Sequence, residues 1–158
     1  FNAMVFLGDN GTSIADFIAP LGTAVSAVFR FNATTQQYES FDSSLPAFLN
    51  TLNTLAFGDV LFLRVVVPAT LDQPAGGPPA GTTHQIVLRD GWNFVSYLGA
   101  TGPPATVLED ISGLLAAFVF DEPSQSWLRF TPGSLAFLST LTQLGNLQGV
   151  DVHCLLWR

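Results

Sequence analysis

Gly91-Trp92-Asn93-Phe94-Val95-Ser96-Tyr97-Leu98-Gly99 decides how the chain is read, because a degraded copy of it, Phe1-Asn2-Ala3-Met4-Val5-Phe6-Leu7-Gly8, opens the protein. With Asn2 set against Asn93, Leu7-Gly8 meets Leu98-Gly99, and the apolar run Ile14 to Ile18 meets Val107 to Ile111 after a small insertion. Ala27-Val28-Phe29-Arg30-Phe31 then lies against Ala116-Ala117-Phe118-Val119-Phe120, Gln37-Tyr38 against Ser126-Trp127, and Phe41 against Phe130. The closest agreement is Ala47 to Leu55 against Ala136 to Leu144, after which Gly58 and Gly149 are matched ahead of a last strand. One unit is used twice, with a period of roughly ninety residues including the linker, too long for a short-period solenoid. The expectation is an α+β, mainly β protein of two tandem homologous small domains, each a mostly antiparallel sheet with one or two short helices. Their bounds are 1–67 for the first, 68–83 for a Pro/Gly-rich linker and 84–158 for the second, which has a leading strand that the first lacks.

The residues carry the elements of each unit. Asn2 to Leu7 reads as a strand that ends at the turn Asp9-Asn10-Gly11. Ile14, Phe17, Ile18 and Leu21 recur at helical spacing behind a capping-box-like Ser13-x-x-Asp16, and Gly22 follows. Thr106-x-x-Glu109, with Leu108, Ile111 and Leu115, predicts the corresponding helix. Hairpins are expected over Val25–Phe41, turning at Asn32 to Thr35, and over Ala116–Thr131, turning at Glu122 to Ser124. Leu45 to Leu55 and Leu135 to Leu144 have apolar residues at helical spacing and predict short helices, against a Thr and Asn content that favours irregular turns. Val60 to Val67 is a continuous apolar, β-branched run, the pattern of a strand covered on both faces. His84 to Arg89 reads as the extra strand of the second unit.

The second copy resembles a module that recurs in bacterial secreted and cell-surface proteins. The motifs that carry the resemblance are the Gly91 to Ser96 opening, Phe118-Val119-Phe120 with Trp127-Leu128-Arg129-Phe130, and Leu141 to Leu144 before Gly149. The first copy departs from it in lacking the Gly-Trp pair, and both copies lack the aromatic after the late Gly, having Asp59-Val60 and Val150-Asp151. The resemblance implies an adhesive or structural part beside other domains, with no catalytic residues to carry over.

Composition narrows the function classes. Hydrophobic residues make up 48% of the 158, aromatics 12% and charged residues only 11%. The core is therefore ample, and the surface must be built mostly from Ser, Thr, Asn, Gln and Gly. Lys is absent and the net charge is -7, so the cationic surface that neutralises phosphates is missing and nucleic acid is a poor partner. No run reaches the roughly eighteen apolar residues of a membrane span. A start at Phe1 without a basic leader predicts a mature or excised piece of a larger precursor from the cell surface or exterior. The single Cys154, in an apolar strand, predicts a small buried hydrophobe.

Candidate chemistry is sparse. His84 and His153 are the only histidines and neither lies in a triad motif. His153 and Cys154 are adjacent, so on a strand they point to opposite faces and cannot share one metal ion. Glu109-Asp110 and Asp121-Glu122 fit a helix start and a turn better than a hydrolytic pair. No catalytic residue, metal or cofactor is expected. The missing leading strand suggests an open edge on the first unit, with Asn2, Met4 and Phe6 on that side and Ile86, Val87 and Leu88 as its counterpart. Such an edge favours end-to-end assembly by strand addition, with pairing to residues 69–73 as the plain alternative. Among Trp92, Tyr97, Trp127 and Trp157, exposed rings would stack on sugars; Trp92 and Trp127 are the candidates for a carbohydrate-binding alternative. Asn10-Gly11-Thr12 and Asn32-Ala33-Thr34 match N-glycosylation acceptors at turns.

Overall fold

A computed structural model describes residues 1–73 and 85–155. It is mainly β, with antiparallel sheets and a few short helices. Strands β1 (Asn2–Val5), β3 (Val25–Asn32), β4 (Gln37–Phe41) and β6 (Val60–Val65) form one four-stranded sheet in the order β1-β6-β3-β4. Strands β7 (Gly91–Tyr97), β8 (Leu114–Asp121), β9 (Ser126–Phe130) and β10 (Gln148–Cys154) form another in the order β7-β10-β8-β9. Taken in chain order the two arrangements are the same. Each last strand sits at the centre, between the opening strand and the hairpin, which is why Val60 to Leu63 read as covered on both faces. A two-stranded ribbon joins β2 (Thr12–Ser13) to β5 (Thr54–Leu55) in the first half.

Each sheet turns one face to its own core. In the first half Val28, Leu61 and Leu63 meet Ile14, Phe17, Ile18 and Leu21, with Leu52 and Leu55 closing the cluster. The second cluster holds Ala117, Val119, Val150, Val152 and Cys154 against Leu108, Leu141 and Leu144. The helix α1 (Ile14–Ile18) starts where Ser13 accepts a hydrogen bond from the Asp16 N–H, and a 3-10 turn over Ala19–Ala24 follows, kinked at Gly22. Its counterpart α2 (Pro104–Val107) is a single turn that begins at the proline pair, one turn before the predicted Thr106 start. A proline at the first helical position loses no hydrogen bond and presets φ, so the pair fixes the start. Leu115, expected on that helix face, stands instead on β8 and is exposed.

The helices expected over 45–55 and 135–144 do not form. Only Ala47–Leu49 and Ala136–Leu138 coil, as 3-10 turns, and the chain then runs extended. Threonine decides this. Thr51 Oγ1 accepts from the Ser40 N–H, and the N–H groups of Thr51 and Leu52 donate to the Ser40 carbonyl. Thr140 and Leu141 hold Arg129 on β9 the same way. Bonding to the sheet edge satisfies these backbone groups as a helix would, and buries Leu52 and Leu141 at once.

Two further expectations are corrected. Gln85 to Arg89 is not a strand: it crosses the second core as irregular chain with Leu88 packed on it. His84, most of the linker and Trp157 lie outside the described residues. The match of Gly58 to Gly149 is displaced by two residues. Gly58 (φ 85°) donates to the Phe6 carbonyl and Leu147 (φ 63°) to that of Tyr97, so these two left-handed positions correspond. No helix among the described residues is long and apolar enough to cross a membrane.

Candidate functional site

The remaining faces of the two sheets meet. Period-two alternation puts Phe29, Tyr38 and Phe62 on one of them and Trp92, Phe94, Phe118, Phe120 and Trp127 on the other. Phe62 stacks on Phe94 with ring centroids 4.9 Å apart and meets Phe120 and Trp127 edge-on, both at 5.7 Å. Where the sheets approach most closely, a methyl group built on Gly149 would overlap the Val60 side chain. The strand registers make Val60 and Gly149 corresponding positions, since Val60 pairs with Val5 and Gly149 with Ser96. Two corresponding positions in mutual contact mark a local twofold relation between the halves.

Both ends of the interface obey that relation. At the tip of the β3–β4 hairpin the Gln36 amide accepts from the Trp92 N–H at 2.9 Å and donates to the Trp92 carbonyl at 2.9 Å. At the tip of the β8–β9 hairpin the Gln125 amide accepts from the Phe1 N-terminal ammonium at 2.8 Å and donates to the Phe1 carbonyl at 3.0 Å. Both glutamines take left-handed backbone, with φ 56° and 51°, which non-glycine residues adopt only where the surroundings hold them. Each half grips the opening strand of the other.

The predicted open edge is met in part by side chains. The outward backbone of β1 is met at Phe1 by Gln125, at Ala3 by Glu122 Oε1 (2.9 Å) and just beyond it, at Leu7, by Gln73 Oε1 (3.1 Å). Residues Asn2, Met4 and Phe6 face inward: Phe6 exchanges bonds with Asp59 and Gly58, while Met4 leans on the first core. Ile86, Val87 and Leu88 lie across the second core, so they are not at an edge either.

Between the sheets an aromatic cleft of about 310 Å³ is lined by Phe1, Phe29, Tyr38, Phe62, Phe120 and Trp127. The Trp127 ring contributes to it and stays 43% exposed. Trp92, the other stacking candidate, already lies flat on His153, centroids 4.5 Å apart. The polar side-chain atoms among the six residues are the Tyr38 hydroxyl and the Trp127 indole N–H. Sugar recognition uses rings together with several directed hydrogen bonds, so this lining suits an apolar or aromatic group better.

A carboxyl group sits on the aromatic face of this interface. Asp151, flanked in the sheet by Phe94 and Phe118, has Oδ1 buried without a partner among the described residues, as does Ser96 Oγ. Burial pushes the Asp151 carboxyl up to about 7. The Tyr38 hydroxyl is raised too, first by burial and then by the Asp151 charge. His153 faces the same side, and Cys154 points into the second core, its thiol raised by burial and then by Asp90. Among the described residues no three His, Cys, Asp or Glu side chains converge to hold a metal. Asp121 caps its own turn through Ser124, and Glu109 and Asp110 are exposed. Of the two glycosylation triplets, Asn32 uses its amide nitrogen on Glu39, whereas exposed Asn10 uses only its oxygen, accepting from Phe57.

Sequence reasoning missed two features. Gln36 and Gln125 stand one residue before the matched pairs Gln37-Tyr38 and Ser126-Trp127, so their pairing was visible in the alignment, but their target was not. Phe48 and Phe137, in the best-matched stretch of both copies, are 83% and 79% exposed, beside half-exposed Leu49 and Leu138. No family model, no curated protein and no solved structure matches the chain.

Proposed function

We propose that the chain is a non-enzymatic structural or adhesive module of the cell exterior, made of two homologous units closed on one another and acting through apolar surface contacts. The observation that carries this reading is the pair of Ala-Phe-Leu turns. The stretch most alike in the two units spends its aromatic residue on solvent, where it contributes nothing to either core. An exposed Phe beside an exposed Leu, presented twice on rigid 3-10 turns, is what a bivalent contact surface requires. The aromatic interface and the two glutamine grips supply the stiffness that lets the turns hold position.

Adhesion force between a chain-coated probe and either an alkyl-terminated or a chain-coated surface tests it. The variant Phe48→Ser with Phe137→Ser is expected to lose most of the force on at least one of these surfaces while its unfolding curve stays unchanged. Equal force from the folded double variant on both surfaces sinks the reading. A second reading, carbohydrate binding, is favoured by the open ring of Trp127 at the cleft; glycan-array signal abolished by Trp127→Ala with folding intact would select it.

A further inference from the structure

The two halves treat one end of their cores differently. In the second half, Ile86 and Leu88 reach down over Val95 and Val152, leaving only about 220 Å³ of free space there, while Val87 between them is 78% exposed. The segment is held by Asn93. Its buried amide accepts from the Arg89 N–H at 2.8 Å and donates to the Arg89 carbonyl at 2.8 Å. An irregular chain is thus laid over this end of the core, with Leu88 half-buried on it, Ile86 lining the same space while still 41% exposed, and one backbone pair clamped.

The first half has the matching seat. Strand register sets Met4 against Val95, Leu63 against Val152 and Asn2 against Asn93. There a recess of about 530 Å³ opens, lined by Met4, Leu63 and Asn2 together with Leu21, Val25 and Leu71. Residues 65–69 border it together with Leu71, and its volume is still more than twice that of the space over Val95 and Val152. The Asn2 amide lines it and has no hydrogen-bond partner among the described residues. The rim includes Phe1 and Gln125, so the recess is continuous with the interface between the halves.

We propose that this recess is a peptide socket. It takes an extended segment of a partner polypeptide that presents two branched aliphatic side chains two residues apart, followed by a backbone N–H and C=O for the Asn2 amide. The apolar walls bury the side chains, the amide fixes register and direction, and the segment lies over the core as residues 85–89 do on the other half. This deepens the adhesive reading by giving it a partner chemistry, and rests on it only in taking the module to join polypeptides.

Met4 is the only methionine in the chain, so a methyl-labelled sample reports the socket through one resonance. Titration with an acetylated, amidated peptide of the sequence of residues 85–90 is expected to shift that resonance saturably. The same peptide with Ile86→Ser and Leu88→Ser is expected to leave it in place. On the protein side, Asn2→Ala should weaken binding about tenfold, the worth of one or two hydrogen bonds, with thermal unfolding unchanged. A Met4 signal that stays fixed at millimolar peptide overturns the socket, as does an equal response to the serine peptide. A concentration-dependent Met4 shift without peptide, accompanied by dimer in sedimentation, overturns the external partner in favour of a second copy. Loss of the Phe48 and Phe137 effect on adhesion touches neither result, so the two proposals fail separately.

Discussion

The halves of this molecule share strand order and differ in what they bury at corresponding points. In the first, Arg30 reaches Glu39 and Asp59, both at 2.5 Å, and the Thr54 carbonyl at 3.0 Å. In the second, the positions of Arg30 and Glu39 hold Val119 and Leu128, and both pack on the second core. At the interface the exchange runs the other way: Phe62 and Val5 in the first half stand where the second has Asp151 and Ser96. Sheet order therefore survives polar and apolar exchange at either place, whether or not the polar group finds partners. Arg30 finds them. The burial that opposes its charge is outweighed by Glu39 and Asp59, which raise it; Glu39, pushed up by burial, is held low overall by bonds from Asn32 and Arg30. Asp151 does not.

The comparison can be broken most severely at Phe62, whose ring touches three aromatics of the other sheet. Phe62→Ala is expected to cost about 3–5 kcal/mol in denaturant unfolding. A loss below about 1 kcal/mol would mean that the sheets do not depend on this contact. Arg30→Val alone should cost about 1–2 kcal/mol, because it strands Glu39 and Asp59, which are only partly screened by water. Adding Glu39→Leu, which reproduces the Val119 and Leu128 pair of the second half, should recover part of that loss, the rest being due to Asp59. A double variant no better than the single one would show that the network, not the shape, is needed.

Asp151 sharpens the contrast through pH. Its carboxyl is raised in the folded protein to about 7 from an unfolded value near 3.8. The folded state thus binds the extra proton, and the stability gained from the neutral form is complete below about 4 and lost as pH rises through 7. Asp151→Asn should flatten this decline and raise stability at pH 8 by about 1–2 kcal/mol, a discounted figure because the carboxyl keeps some contact with water. Thermal unfolding across pH 5–8 measures both; a wild-type curve parallel to that of the variant would remove Asp151 as the cause. Smallest of all, Gln36→Ala and Gln125→Ala should each cost about 1 kcal/mol, with Gly costing less at either position since it relieves the left-handed backbone. Unequal costs would show that the twofold relation is geometric and not energetic.

Much of the fold was legible because burial leaves a period. The β3–β4 and β8–β9 hairpins, the buried face of Ile14, Phe17, Ile18 and Leu21, and the central run Val60 to Leu63 all follow from spacing alone. The stretches 45–55 and 135–144 misled because Leu52 and Leu55 keep helical spacing while Thr51 ties the chain to the neighbouring strand. Spacing cannot distinguish an i, i+3 pair on a helix from two leucines dropped into a core by an extended loop. For the candidate surfaces, Trp127 was visible as a ring but not as the wall of a cleft. Phe48 and Phe137 looked like core because they are apolar.

The sequence by itself determined that one pattern of strands occurs twice, since that pattern is written in residues close together along the chain. Tertiary contacts alone set which faces meet, that Gln36 and Gln125 each reach across to the other half, that Asp151 Oδ1 is buried without a partner among the described residues, and that one of two corresponding recesses is the more covered. The contacts between the halves join residues about thirty to more than a hundred positions apart, from Phe62 with Phe94 to Phe1 with Gln125. Local periodicity holds no record of them, because a strand shows which side is apolar without showing what will cover it.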